Sequence, residues 1–336
     1  MFPKHSSRPL WIVAALLALL APLAVAAGIS SPAQGAAPRL HHVKMYKVEA
    51  HVDLSGEFPD NSLHTHLYCR PGDYAIDGMW RVDHVDQANP PDTFGDERDV
   101  QVNASYGDNA DASEWHFRFV NNADGDAQLK IFLTCIDSST EGQHGHSHPI
   151  VLSNRYDDNS NAAMPSGATA MTHATQCTGA NELAVAPGFN YTAGSGRIYR
   201  SWPSANFRNW QWAFVVGGPA DLTVYHRCLA IKTGPGGNGP HAHRLYADWL
   251  PGYNGDFDNI PMSDSFERRL SCTHQSYDKG MVGAFWINDP SHVWWLGMDP
   301  RPKTRAYRFW NDGGGNHGTY VALLCIGSRT GKQVAP

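Results

Sequence analysis

A chain of 336 residues with a formal charge of −6, and only 17% charged residues, lacks the basic face that nucleic acid or a polybasic membrane contact requires. Its 32 Gly, 22 Pro, 11 Trp, 13 Tyr and 13 Phe, with no stretch of sustained helical periodicity, describe strands joined by turns.

At the N-terminus, Lys4 and Arg8 precede an apolar run from Leu10 to Ala21, followed by the small residues Ala24, Ala26 and Ala27. This is the layout of a secretory signal peptide over 1–27, with cleavage expected near Ala26 or Ala27 and a linker over 28–39. No later stretch is apolar enough to span a membrane. The expected location is secreted, extracellular or at the cell surface, with the periplasm as the alternative. In such an oxidising compartment the six cysteines are expected to form structural disulfides.

The remainder is one module used three times. Phe117 and Phe119 precede Cys135 by 18 and 16 positions, as do Trp210 and Trp212 before Cys228, and Tyr307 and Phe309 before Cys325. The copies are placed at 40–140, 144–233 and 241–332, the last join being Gly-rich from Gly234 to Gly239.

In the first copy His42 marks the start, and Val43 to Val48 reads as a first strand. Cys69 follows, and then a Pro- and Asp-rich stretch from Ala88 to Asp99 that reads as a loop insertion. Trp115, Phe117 and Phe119 alternate with polar residues, so the aromatics share one face of a strand. Asn121 to Gly125 supplies turn chemistry, and Leu129, Ile131, Leu133 and Cys135 share a parity on the returning strand. The pair reads as a β-hairpin with its cysteine pointing into the core.

The second copy repeats this order with His148, Cys177, Trp210, Trp212, Phe214, the turn Gly217-Gly218-Pro219, then Leu222, Val224 and Cys228. His226 takes an apolar slot, predicting either a buried hydrogen-bonded histidine or a twist in the strand. The third copy runs from His243 through Cys272, Tyr307, Phe309 and the Asn311–Gly315 turn to Val321, Leu323 and Cys325. Of the 15 pairings open to six cysteines, the repeat selects Cys69–Cys135, Cys177–Cys228 and Cys272–Cys325. The fold class expected is all-β: three tandem small β-sandwich or barrel-like domains, each with one internal disulfide.

The second copy has a cadence of Cys177-Thr-Gly, Ser201-Trp202-Pro203, the aromatic strand, and Leu222-Thr223-Val224-Tyr225 before Cys228. It resembles tandem disulfide-containing β-domains of secreted bacterial proteins. The resemblance covers about half of one repeat; it implies a bacterial, extracytoplasmic setting and carries no chemistry.

Three residue groups are candidates for function. Histidines cluster at His144, His146 and His148 and at His241 and His243, and residues two apart on extended chain project to one face, where imidazoles suit Cu, Zn or Ni. Their recurrence at a repeat position equally fits a structural role at the joins; His64, His66, His173 and His274 lie near the first cysteines. Trp202, Trp294 and Trp295 fall outside the repeated core positions and are candidates for recognition of a glycan or protein surface. Acidic loops (Asp108 to Asp111, Asp157-Asp158, Asp256 to Asp258) offer oxygens for Ca, without EF-hand spacing.

No GxSxG, HExxH or P-loop pattern occurs, and each cysteine has a repeat partner. The expectation is a secreted, non-enzymatic structural or surface-recognition protein without a required cofactor. Its partner would be itself, another protein or a glycan, with Ala36–Val43 as a strand for self-assembly. The alternative is an extracytoplasmic metal-binding protein using the HxH clusters.

Overall fold

A computed structural model describes residues 40–85, 96–123, 125–142, 145–158, 167–172, 175–237, 241–251, 256–260, 264–274, 276–313 and 315–335. The signal and linker segments, most of the loop insertion, and His144 and His173 lie outside the described residues.

The alternating apolar patterns form strands throughout. The first copy supplies β1 (Met45–Leu54), β2 (Ser62–Tyr68), β3 (Tyr74–Val85), β4 (Val100–Gly107), β5 (Glu114–Asn121) and β6 (Ala127–Ile136). The second supplies β7 (Tyr156–Asp158), β8 (Gly167–Thr172), β9 (Glu182–Ala193), β10 (Gly196–Pro203), β11 (Trp210–Val216) and β12 (Asp221–Ala230). The third supplies β13 (Ala242–His243), β14 (Ala247–Leu250), β15 (Asp256–Ile260), β16 (Asp264–Ser271), β17 (Lys279–Ile287), β18 (Val293–Pro300), β19 (Thr304–Asn311), β20 (His317–Ile326) and β21 (Gln333–Val334). Among the described residues the one helical element is a 3-10 turn over Asp96–Asp99.

The repeated aromatics are core residues, as their parity requires. Trp115, Phe117, Phe119, Trp210, Trp212, Phe214, Tyr307 and Phe309 are all buried, as are Leu129, Ile131 and Leu133 opposite them. Each such side chain removed from water is worth about 1.5–3 kcal/mol.

The turn after each aromatic strand does not close a hairpin. β5 pairs with β2 and β4, whereas β6 pairs with β1 and β3, so 122–126 carries the chain from one sheet to another. The same holds for β11 and β12, and for β19 and β20. Both strands of each pair are apolar on one face because those faces meet across a core. This pattern cannot be told from that of a hairpin, in which both faces point the same way. Asn121 satisfies the turn locally: its side chain donates to the Gly125 carbonyl and accepts from the Ala123 amide, and Asn311 does the same with Gly315 and Gly313.

Each copy is therefore a small sandwich, with β1-β6-β3 in one layer and β4-β5-β2 in the other. Its disulfide joins the end of β2 to β6 across the layers. All three expected pairs are present: Cys69–Cys135, Cys177–Cys228 and Cys272–Cys325.

The sandwiches are not separate. Each large sheet joins the half-sheet of one copy to that of another: the six-stranded β1-β6-β3-β18-β19-β16 and β2-β5-β4-β9-β12-β7, and the seven-stranded β14-β20-β17-β10-β11-β8 with β15 also on β20. The seams are short, at Arg81 with Gly297, Arg200 and Ser201 with Trp286 and Phe285, and Ala104 and Ser105 with Asn190 and Phe189. Every copy meets both others, so the described strands close in a ring, and most of their buried apolar side chains share one core, with a small separate cluster at Cys272, Leu323 and Cys325. A buried pair supports one seam: Arg305 donates to Thr134 and to the Met281 carbonyl, and lies 3.8 Å from Asp77, whose carboxylate accepts the Gly283 amide. Burial pushes Asp77 up to about 7.

His226 is fully buried at a register shift between Tyr225 and Arg227, so the irregularity lies within β12, whose pairing with β9 resumes from Arg227 to Ala230. The described part of the proposed assembly strand is used internally: Val43 donates to the Ser328 carbonyl and His42 bridges Arg329.

Candidate metal centre

The sequence repeats one small device at each join between copies. Five residues after each second cysteine stands a threonine: Thr140, Thr233 and Thr330. Each is buried and brackets a histidine near the start of a copy, namely His148, His243 and His41 respectively. The threonine amide donates to the histidine carbonyl at 2.8 Å in all three cases. The histidine amide donates back to the threonine Oγ1 at 2.9 Å in all three. Because Thr330 brackets His41, the C-terminal segment closes on the N-terminal one.

The next residue fixes the ring. Nδ1 of His148 donates to the Gly234 carbonyl at 3.1 Å, that of His243 to the Gly331 carbonyl at 3.1 Å, and that of His41 to the Glu141 carbonyl at 3.4 Å. A carbonyl only accepts, so the proton resides on Nδ1 and the Nε2 lone pair is left for another partner.

These three rings meet. Their centroids lie 4.7 Å apart for His41 and His148, 4.8 Å for His41 and His243, and 4.7 Å for His148 and His243, a near-equilateral triangle where the three copies converge. All three side chains are buried. His146 and His241, two residues earlier on their segments, form a half-buried outer tier with centroids 4.9 Å from His41 and His148 respectively. The backbone is close enough that a Cβ on Gly236 would fall 2.5 Å from the His148 ring, so a side chain there would displace it.

Ligand nitrogens of His41, His146 and His148 lie within 4.8 Å of one another, and so do those of His148, His241 and His243. A tetrahedral ion with bonds of about 2.0–2.1 Å needs its nitrogens about 3.3 Å apart, so modest ring rotations would close either trio. Burial holds His41 well below the ordinary histidine range, at about 4, and lowers His148 and His243 too, with the neighbouring imidazoles adding to the effect. Neutral imidazole is the form that binds metal.

The structure thus brings together His146, His148, His241 and His243. It adds His41, which the sequence reading passed over in favour of His42: the equivalent position is 28 rather than 27 residues before Cys69, against 29 in the other copies.

The recognition candidates separate. Trp202 is 2% exposed and packs in the core, so it offers no surface platform. Trp294 and Trp295 line a cleft of about 350 Å³ with Trp80, Arg98 and Arg197, and the Arg197 guanidinium stacks 4.2 Å from the Trp294 ring. The acidic loops are engaged within the chain: Asp108 accepts the amides of Ala110 and Asp111, Asp157 pairs with Arg155, and Asp258 with Arg268. His226 approaches Cys177 and Cys228, but those sulfurs are bonded to each other and hold no thiolate.

No protein-family model matches this chain, and no curated protein is significantly similar to it.

Proposed function

We propose that this is an extracytoplasmic metal-binding protein that holds a first-row transition-metal ion where its three copies converge. One observation carries the reading. Nε2 of His41 and of His148 is buried without a hydrogen-bond partner, their Nδ1 protons are committed to carbonyls, and they stand beside His243, whose Nδ1 is committed in the same way. Buried polar atoms of this kind are rare because each costs about 1–3 kcal/mol, and an ion repays that cost. An all-imidazole donor set suits Zn, Cu or Ni, with Cu(II) favoured in the general affinity order. Three internal disulfides fit an oxidising compartment.

The test is elemental analysis of the mature, untagged protein, followed by titration of EDTA-treated protein with Zn²⁺ and Cu²⁺. Tight binding is expected, and His148→Ala, which removes the ligand shared by both trios, is expected to abolish it. Folded protein that retains no metal and takes up none at micromolar concentration would end the reading.

The cleft beside Trp294 favours recognition as a second reading. A stacked Trp–Arg pair with a second cation, Arg98, 5.5 Å from the same ring suits an acidic sugar. Glycan-array binding lost on Trp294→Ala would support it; an unchanged or blank array would count against it.

A further inference from the structure

A second group of histidines stands on the outer face of the first copy. His64 and His66 are two apart on β2 and share a face, and His116 on β5 is the direct cross-strand partner of His66. Ring centroids lie 4.7 Å apart for His64 and His66, 4.2 Å for His66 and His116, and 5.7 Å for His64 and His116. One ligand nitrogen from each lies within 4.8 Å of the other two.

Carboxylates complete the group. Glu114 accepts from His66 Nδ1 and from the Tyr68 hydroxyl at 2.9 Å, and its Oε1 is 3.6 Å from His116 Nε2. Asp108 Oδ2 lies 3.2 Å from His116 Nε2, and the carboxylate's other oxygen, Oδ1, accepts the amides of Ala110 and Asp111. Asp108, Glu114 and His116 also fall within ligating distance as a trio. His116 stacks on Tyr106, with centroids 4.8 Å apart and planes at 5°, and its Nδ1 is buried without a hydrogen-bond partner. His64 is exposed, whereas His66 and His116 are half-buried, so solvent reaches one side.

The repeat itself argues that this group is not structural. Position for position from the cysteines, His116 corresponds to Asn209 and Ala306, His66 to Ala174 and Arg269, and His64 to Thr172 and Glu267. Neither other copy has this constellation, so the module folds without it. The residues also point away from the core, since their neighbours Trp115 and Phe117 are the buried ones.

We propose that His64, His66 and His116, with Glu114 and Asp108 as carboxylate partners, form a second divalent transition-metal site, open to solvent and distinct from the buried centre at the convergence of the copies. Three imidazoles with one or two carboxylates match Zn²⁺ or Cu²⁺. A carboxylate bonded to a ligating imidazole fixes ring orientation and raises its basicity. The open side leaves room for a water or an external ligand, so this site exchanges its ion faster than the enclosed one.

The test uses the full mature chain, stripped with EDTA and titrated with Zn²⁺ and, for its visible bands, Co²⁺. The wild type is expected to bind two equivalents. His64→Ala/His66→Ala is expected to bind one, with near-UV circular dichroism unchanged because His64 is exposed and neither side chain packs in the core. His116→Gln, which keeps a polar group against Tyr106, is expected to weaken the same equivalent at least tenfold. His148→Ala is expected to remove the other. A wild type that binds one ion, lost in His148→Ala and unchanged in both outer-face variants, would overturn this site and leave the buried one standing. One ion lost only in the outer-face variants would do the reverse.

Discussion

Replacing Thr330 by Val tests whether the join between the segment at His41 and that at Thr330 is held as the structure describes. Thr330 and His41 are both fully buried. The substitution keeps the shape and the amide-to-carbonyl bond at 2.8 Å, but removes the Oγ1 that accepts the His41 amide at 2.9 Å. A buried amide deprived of its acceptor costs about 1–3 kcal/mol. The segment at His41–Val43 is terminal in the folded unit, tied chiefly to 328–330, so the loss should appear as local opening before global unfolding. Amide exchange at His41 should accelerate about 5- to 150-fold, the equivalent of 1–3 kcal/mol. Thr140→Val and Thr233→Val make the same change inside the chain, where opening requires disrupting a join between copies. They should instead lower the global urea midpoint by a comparable free energy. Hydrogen exchange read by mass spectrometry on peptides covering His41, His148 and His243 measures all three. Unchanged exchange at His41 in Thr330→Val, with unchanged urea midpoints in the other two, would refute the bracket as a stabilising element.

Acid should loosen the metal-free protein through its buried histidines. His41 titrates at about 4 in the folded state against 6.5 ordinarily, so between those values the unfolded chain binds the proton first. The contribution is complete above about 6.5 and lost as pH falls through about 4; at about 1.4 kcal/mol per unit its ceiling is of order 3 kcal/mol. Urea midpoints of EDTA-treated protein across that window should fall, and a flat profile would contradict the burial. Asp77→Ala should cost about 3–5 kcal/mol because Arg305 is left buried without its counter-charge, while Asp77→Ala/Arg305→Met should cost less than the sum of the single changes. Strict additivity in urea unfolding would show that the two do not interact. Cys177→Ser/Cys228→Ser opens a 51-residue loop, and should lower stability by about 4 kcal/mol in the chain-entropy model; a loss below 1 kcal/mol would place the restraint elsewhere.

The sequence disclosed what large side chains alternate to make. β5, β11 and β19, with β6, β12 and β20 after them, were legible because aromatic and aliphatic residues of one parity must be buried, and the cysteine offsets tied the copies together. The partner strand was not legible: a face meeting its own turn-mate across a core leaves the same pattern as a hairpin. The seams were hidden for a related reason. They rest on one or two residue pairs, such as Arg81 with Gly297, and backbone pairing leaves no trace in side-chain type. At the candidate metal centre the HxH spacings pointed to four of the five histidines. His41 was masked by its neighbour His42 and by a one-residue difference in spacing, and only closure of the ring shows which of the two belongs. His116 had no signal, because its meaning comes from β2 lying beside β5.

The seam between β3 and β18 also sets the order in which the molecule is completed. Arg81 emerges early in synthesis and its partner Gly297 near the end, so the first copy's two half-sheets present bare edges at β3 and β4 until the later copies arrive. Open edges of this kind recruit other chains, and pairings this distant in sequence form slowly. Disulfides confined within each copy suit that sequence of events. Each sandwich can be locked as it forms, which leaves only edge-to-edge docking within the chain for the final step, in competition with a concentration-dependent pairing of the same edges between chains.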